Sequence, residues 1–216
     1  MHNMIIMGPP GAGKGTQSER IVSHYHVPHI STGDMFREAI AKQTELGKLA
    51  ESYIKSGALV PDEVTIGLVK ERLSQDDCKN GYLLDGFPRT IAQAEALKKL
   101  TKEIKREVDC VINLNCDYGA LTERISGRRV CPKCGASYHL VTKKPRVENV
   151  CDSCGSTLVQ RPDDTVEALK TRLDAYENKT KPLIDFYKEE GLLKEVDGLQ
   201  SIEDVFLDIC NALEGK

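Results

Sequence analysis

The 216-residue chain contains no tryptophan, and only 5% of its residues are aromatic. That scarcity removes the stacking platforms on which single-stranded nucleic acids are held. No apolar run exceeds a few residues, so no membrane-spanning helix is expected. The formal net charge is −3, which supplies no general attraction for nucleic acid or anionic lipid. Met1-His2-Asn3 lacks the basic region of a secretory leader, and a cytoplasmic location is expected. The length, the missing leader and the spacing all argue against reading the eight cysteines as a disulfide scaffold. Four of them form two close pairs, while Cys78, Cys110, Cys116 and Cys210 are scattered. Cys110 and Cys210 lie in apolar stretches and read as small buried hydrophobes.

What is present begins with Gly8-Pro9-Pro10-Gly11-Ala12-Gly13-Lys14-Gly15-Thr16, directly after Met4-Ile5-Ile6-Met7. Such a short apolar run reads as a buried parallel strand. The residues after Lys14 can open a helix. Strand, glycine loop and helix make the context of a P-loop. Glycines let the backbone wrap an anion closely, and successive N–H groups with the helix N-terminus point at phosphate oxygens. Lys14 adds a mobile positive charge. The general motif places Ser or Thr immediately after the lysine; here Gly15 holds that place and Thr16 follows. A nucleoside triphosphate is the expected ligand.

Further strand candidates recur at residues 27–30, 82–84, 110–114 and 193–196, separated by helical patterns. Val64, Leu68, Val69 and Leu73 space as one helix face, with Pro61 near its start. Ile91, Ala94, Leu97 and Leu100 form a second face. Val166, Leu169, Leu173 and Tyr176 open a long helix that Pro182 should kink or break. Ile202, Val205, Phe206, Ile209 and Leu213 form the last. This alternation predicts an α/β fold, a parallel sheet covered by helices on both faces. Residues 31–60, helical and polar, and residues 127–164, rich in turn residues and cysteine, interrupt it and read as insertions.

Cys131-Pro132-Lys133-Cys134 and Cys151-Asp152-Ser153-Cys154 form two C-x2-C pairs with sixteen residues between them. This is metal-site spacing. Gly135 and Gly155 follow the pairs at matching positions, so two knuckles can each aim two sulfurs at one point. Four thiolates leave no open coordination position, so the ion is expected to be structural. Zinc suits the site, and iron fits an S4 tetrahedron equally.

Tyr82-Leu83-Leu84-Asp85-Gly86-Phe87-Pro88-Arg89 is a hydrophobic strand ending in an acid, then a constrained loop ending in an arginine. Parallel sheets bind ligands at the C-terminal ends of their strands. An acid there, beside a P-loop, suits a magnesium–water cluster. Arg37 lies in the first insertion, Arg124, Arg128 and Arg129 enter the second, and Arg161 and Arg172 flank its end. Phosphoryl transfer needs cations around the equatorial oxygens, which arginine's planar fork supplies.

Together, the tract from Gly8 to Thr16, Ser31-Thr32-Gly33-Asp34-Met35-Phe36-Arg37, Asp85-Gly86-Phe87-Pro88-Arg89, Gly127-Arg128-Arg129 and Arg161-Pro162-Asp163-Asp164 resemble adenylate kinases of the long bacterial form, with a zinc-bearing lid. The likeness covers essentially the whole chain, and the Gly15-Thr16 ending is normal for that family. It implies a five-stranded P-loop nucleoside-monophosphate kinase fold. The core would be residues 1–30, 61–126 and 165–216, the monophosphate-binding insertion 31–60 and the lid 127–164. It implies reversible phosphoryl transfer from MgATP to AMP, giving two ADP, by a monomer.

By the same resemblance, Gly11, Ala12, Gly13, Lys14, Gly15 and Thr16 would cradle the ATP phosphates. Arg128, Ser137 and Tyr138 would hold ATP from the lid, and the Gln200 backbone would meet adenine. The AMP site would comprise Thr32, Arg37, Ala58, Leu59, Val60, Gly86, Phe87, Pro88, Arg89 and Gln93. Arg124, Arg161 and Arg172 would gather around the transferring phosphate. Asp85 would order magnesium waters, and Asp163 and Asp164 would anchor the closed lid. Cys131, Cys134, Cys151 and Cys154 would bind zinc. Thr142 stands where some relatives carry an aromatic packed on adenine. Pyrimidine-nucleotide kinases share the P-loop and arginines, but usually with a short lid lacking zinc. A zinc-ribbon nucleic-acid module joined to a P-loop switch, and a plain ATPase, are the alternatives from other classes.

Overall fold

The first strand sets the architecture. In a computed structural model describing residues 2–215, β1 (His2–Met7) is central and buried. Met1 and Lys216, the outermost residues of the expected core segments, lie outside the described residues. Met4 and Ile6 face one hydrophobic cluster, which includes Ile21, Val205 and Ile209. Ile5 and Met7 face another, which includes Val69, Leu97 and Leu183. A strand apolar on both faces requires a layer on each side. α1 (Lys14–Tyr25) and α9 (Ile202–Glu214) cover one face; α4 (Asp62–Leu73), α5 (Ile91–Glu103) and α8 (Leu183–Glu189) cover the other.

The remaining core strands are β2 (His29–Ser31), β3 (Gly81–Asp85), β4 (Cys110–Asn115) and β7 (Leu193–Asp197). They lie in the order β2-β3-β1-β4-β7, and every pairing is parallel. The five strand candidates of the sequence correspond to these five strands. β1 sits between β3 and β4, so its C-terminal end is the topological switch point where open parallel sheets bind ligands.

Two segments stand outside this alternation. Between β2 and α4, α2 (Thr32–Ala41) and α3 (Glu45–Ser56) pack through Phe36, Ala50 and Val60. After α6 (Leu121–Ser126), β5 (Arg128–Val130) and β6 (Ser137–His139) form a separate antiparallel pair. α7 (Val166–Ala175) then leads back toward α8.

The long helix broken by Pro182 takes a specific form. α7 ends in a π-helical turn, Tyr176–Thr180, in which the Lys181 N–H donates to the Tyr176 carbonyl at 2.8 Å. α8 starts just after Pro182. Two residues expected on buried helix faces are instead exposed: Ile91 at 37% and Val166 at 68%. Each is the first residue of its helix, directly after a capping threonine (Thr90, Thr165), where the helix end overhangs the core. Cys110 is buried, whereas Cys210 is only half-buried. No helix among the described residues is long and apolar enough to cross a membrane.

Candidate active site

Gly8, Gly11 and Gly13 all adopt positive φ, which bends the chain into a concave loop between β1 and α1. At Gly8 a Cβ would come within 2.8 Å of the Leu114 carbonyl. At Gly13 it would meet nothing, leaving open space above the helix end. α1 has no side-chain cap and no acid in its first turn. Five other helices carry a Ser or Thr cap: α2, α3, α5, α7 and α9. An uncapped N-terminus leaves its N–H groups and partial positive charge for an anion, an interaction typically worth about 0.3–1 kcal/mol.

Lys14 folds back over this loop, its Nζ donating to the carbonyls of Gly8 at 2.7 Å and Pro9 at 2.9 Å. Burial pulls its ammonium down to about 8; Asp85 opposes the shift, and Arg89, Arg172 and Arg128 add to it. These four charged side chains therefore act on Lys14 at one place. Arg124 is not among them. Its guanidinium donates to the Gly198 carbonyl at 2.9 Å, in the turn that carries Gln200. α6 thus directs this side chain toward the turn after β7. Gln200 is exposed, its side chain bonded to Asp208 at 2.8 Å.

Asp85 ends β3. Its Oδ2 lies 3.2 Å from His29 Nε2 and 3.4 Å from the buried Ser18 hydroxyl. Burial opposes its ionisation, but His29 and Lys14 outweigh that and hold it below the usual carboxylate range. The carboxylate, not the imidazole, contacts the serine, so this trio is not a nucleophile–base arrangement.

A second, open pocket is lined by Thr32, Gly33, Phe36, Ile54, Ala58, Leu59, Val60, Thr65, Gly86, Arg89 and Gln93. Seven of these are expected AMP-site residues. Gly33, Phe36, Ile54 and Thr65 are additions; Gly33 and Phe36 stand in the motif that runs from Ser31 to Arg37, whereas Ile54 on α3 and Thr65 on α4 carry no motif. Phe87 packs in the main core instead of the pocket wall, because the chain alternates sides as it leaves β3. Pro88 follows through a cis peptide bond. Arg89 Nε donates to the Gly86 carbonyl at 2.8 Å, and Gln93 is held by Asp62 (Nε2 to Oδ1, 2.8 Å) and the Arg89 N–H (2.7 Å).

Arg129 donates to the Ser126 and Arg128 carbonyls, whereas Arg37, Arg128, Arg161 and Arg172 are paired with acids. Asp34 accepts from Arg37 at 2.6 Å and from Arg161 at 3.3 Å. Burial would raise its pKa, but Arg37 and Arg161 bring it to about 2. Arg128 forms a forked pair with Asp164, and Arg172 reaches Asp163 at 3.1 Å. Burial lowers both Arg161 and Arg172 to about 10, with neighbouring arginines adding to the shift. So dense a group of cations calls for polyanionic ligands.

The four cysteine sulfurs all lie within 4.8 Å of one another; Cys131 and Cys154 are 3.4 Å apart, Cys134 and Cys151 3.5 Å. A tetrahedral ion with sulfur at about 2.3 Å needs edges near 3.8 Å, so the donor set fits zinc. None of the cysteines is in a disulfide. The two knuckles repeat one hydrogen-bond pattern: Gly135 to Cys131 and Cys131 to Ala136, then Gly155 to Cys151 and Cys151 to Ser156. Tyr138 belongs to the same cluster. Its side chain is buried in this cluster, its hydroxyl accepting from the Asp152 N–H at 2.8 Å. Strand alternation puts Ser137 and His139 on the opposite side. The Ser137 N–H donates to Glu19 at 3.1 Å, and Lys143 pairs with the same carboxylate at 2.6 Å.

The family model described as adenylate kinase matches residues 6–192. An adenylate kinase of Bacillus pumilus (strain SAFR-032) is 56% identical over 213 residues, covering 99% of this chain and 98% of its own length. One of Bacillus cytotoxicus is 57% identical over 207 residues, covering 96% of each chain. One of Bacillus thuringiensis (strain Al Hakam) is 56% identical over the same length and coverage.

Proposed function

Because this chain belongs to the adenylate kinase family, we propose that it transfers a phosphoryl group between ATP and AMP by alignment and charge neutralisation, with no general base. The observation that carries this reading is the convergence of Asp85, Arg89, Arg128 and Arg172 on Lys14, with Arg89 also lining the second pocket. The acceptor is already an anionic phosphate oxygen, so no proton need be removed from it. What the protein must supply is in-line approach and positive charge. Alignment of this kind supplies about 7–11 kcal/mol.

In this reading the N–H groups of Gly11, Ala12, Gly13, Gly15 and Thr16, with Lys14, hold the donor phosphates. Thr32, Ala58, Leu59, Val60, Gly86, Arg89 and Gln93 bind AMP, with Arg37 near its phosphate. Gln93 keeps one N–H and one lone pair beyond those used by Asp62 and Arg89, enough to read a base edge. Arg128, Arg161 and Arg172 exchange Asp164, Asp34 and Asp163 for phosphate oxygens. Arg124, seated beside Gln200, serves the base end of ATP. Magnesium accompanying ATP would offset the charge of its phosphates, and Asp85 would hold its waters. Residues 31–60 and 127–164 cover the acceptor and the donor and exclude water, which would otherwise hydrolyse ATP. Adenylate kinases are already a known example of lid closure over substrate, and that precedent supports this step. Cys131, Cys134, Cys151 and Cys154 would hold zinc, which would brace the lid and take no part in the chemistry.

The test is a product assay with and without AMP. ADP should form only with AMP present, two per ATP consumed. Release of inorganic phosphate without AMP would refute the reading. Competition among AMP, CMP, UMP and GMP should leave AMP preferred.

A further inference from the structure

His29 is unused by the mechanism above, yet it touches the one acid assigned to magnesium. It opens β2, and its side chain is 28% exposed. Its Nε2 lies 3.2 Å from Asp85 Oδ2, the same oxygen that the Ser18 hydroxyl approaches at 3.4 Å. The register accounts for the reach: His29 pairs with Leu83 and Ser31 with Asp85, so the imidazole leans two residues forward along the neighbouring parallel strand. Oδ1 takes no hydrogen bond from a described residue. It is also absent from the sealed, unpartnered oxygens, so it remains open to solvent. One carboxylate oxygen is thus anchored twice and the other is free.

We propose that His29 is a positioning residue for magnesium: with Ser18 it locks the Asp85 carboxylate through Oδ2 and presents Oδ1 to the waters of the cation that accompanies the triphosphate. The inference rests on the assignment of Asp85 in the proposed function. The neutral Nε2–H tautomer and the imidazolium both donate to Oδ2, so the contact does not depend on ring charge. The charged groups around the ring are Asp85 from β3, Asp34 from α2 and Glu19 from α1. Each is an acid, and together they favour a ring that keeps its donor. Outer-shell partners of this kind change metal affinity by about 10–100-fold. Contact through water places His29 at the low end.

The experiment titrates Mn²⁺ into enzyme loaded with a non-hydrolysable ATP analogue and follows the electron paramagnetic resonance signal of the free ion. His29→Ala should weaken Mn²⁺ binding about tenfold. His29→Gln, whose amide can still donate, should recover most of that loss. The Mg²⁺ concentration for half-maximal turnover should shift in the same order, while the thermal midpoints of both variants stay near the parent's. Unchanged Mn²⁺ affinity in His29→Ala, alongside weakened binding in Asp85→Asn, overturns the role of His29 alone. Equal losses in His29→Ala and His29→Gln also overturn it, because the donor would then not be what matters. Unchanged binding in Asp85→Asn removes the assignment of Asp85, and this inference with it.

Discussion

The Lys14 ammonium is buried, folded onto its own loop and ringed by other cations, so it gives up its proton at about 8 instead of 10.5. Between those values the unfolded chain binds more protons than the folded one, so this group's contribution to stability rises with pH across that window. Bound triphosphate reverses the pull by adding negative charge. ATP binding near pH 8.5 should therefore take up protons, seen calorimetrically as an enthalpy that changes with the ionisation heat of the buffer. An enthalpy identical in all buffers would contradict this. Lys14→Ala and Arg89→Ala should each lower kcat/KM by at least ~10²-fold, with little change in thermal midpoint; parent-like kinetics would remove that residue from the site. Lys14 and Arg89 are legible in the sequence because each stands in a contiguous motif whose backbone positions it. Arg124 and Tyr138 are harder. Their directions depend on where α6 points and which face of β6 turns inward, and neither is written in local spacing.

At the scale of the element, residues 127–164 carry little core of their own, and the proposed metal would make up the difference. Their buried apolar set is small, namely Val130, Cys131, Tyr138, Cys151 and Leu158. That area cannot order a segment of this length, whereas a structural zinc ion supplies about 10–16 kcal/mol. Cys151→Ser should lower bound zinc, measured by elemental analysis, and lower the melting temperature, yet leave appreciable activity in the cold. Complete loss of activity in a folded, zinc-depleted variant would instead indicate a catalytic ion. The quartet is readable from spacing alone, since each C-x2-C-Gly knuckle is built from neighbours in sequence. The acids facing the arginines are less so. Asp163 and Asp164 lie in a recognisable motif, but Asp34 meets Arg161 across 127 positions. Asp62, which holds Gln93 from 31 positions away, carries no signal of its own.

Across the whole molecule, the strand-and-helix alternation is enough to foresee a five-stranded parallel sheet, because periodicity reports burial and burial decides layers. It does not report how the lid meets the core. Besides Arg172 on Asp163, that contact runs through Glu19, which binds both the Ser137 N–H and Lys143. The pair is partly exposed and so worth about 0.2–1 kcal/mol. Glu19→Ala should raise the KM for ATP by less than about fivefold, without lowering kcat; a larger rise would show that Glu19 does more than hold the lid. The π-helical turn at Tyr176–Thr180 bears on the same connection. It places α7 and α8 one residue out of step along what would otherwise be a single rod. The wider turn absorbs that extra residue, so α7 and α8 keep nearly the bearings of one rod. Rewinding the same five residues as ordinary α-helix would instead turn α7, and Arg172 with it, by about 100°. The azimuth of Arg172 is thus fixed by the pitch of a single turn, with no catalytic side chain involved.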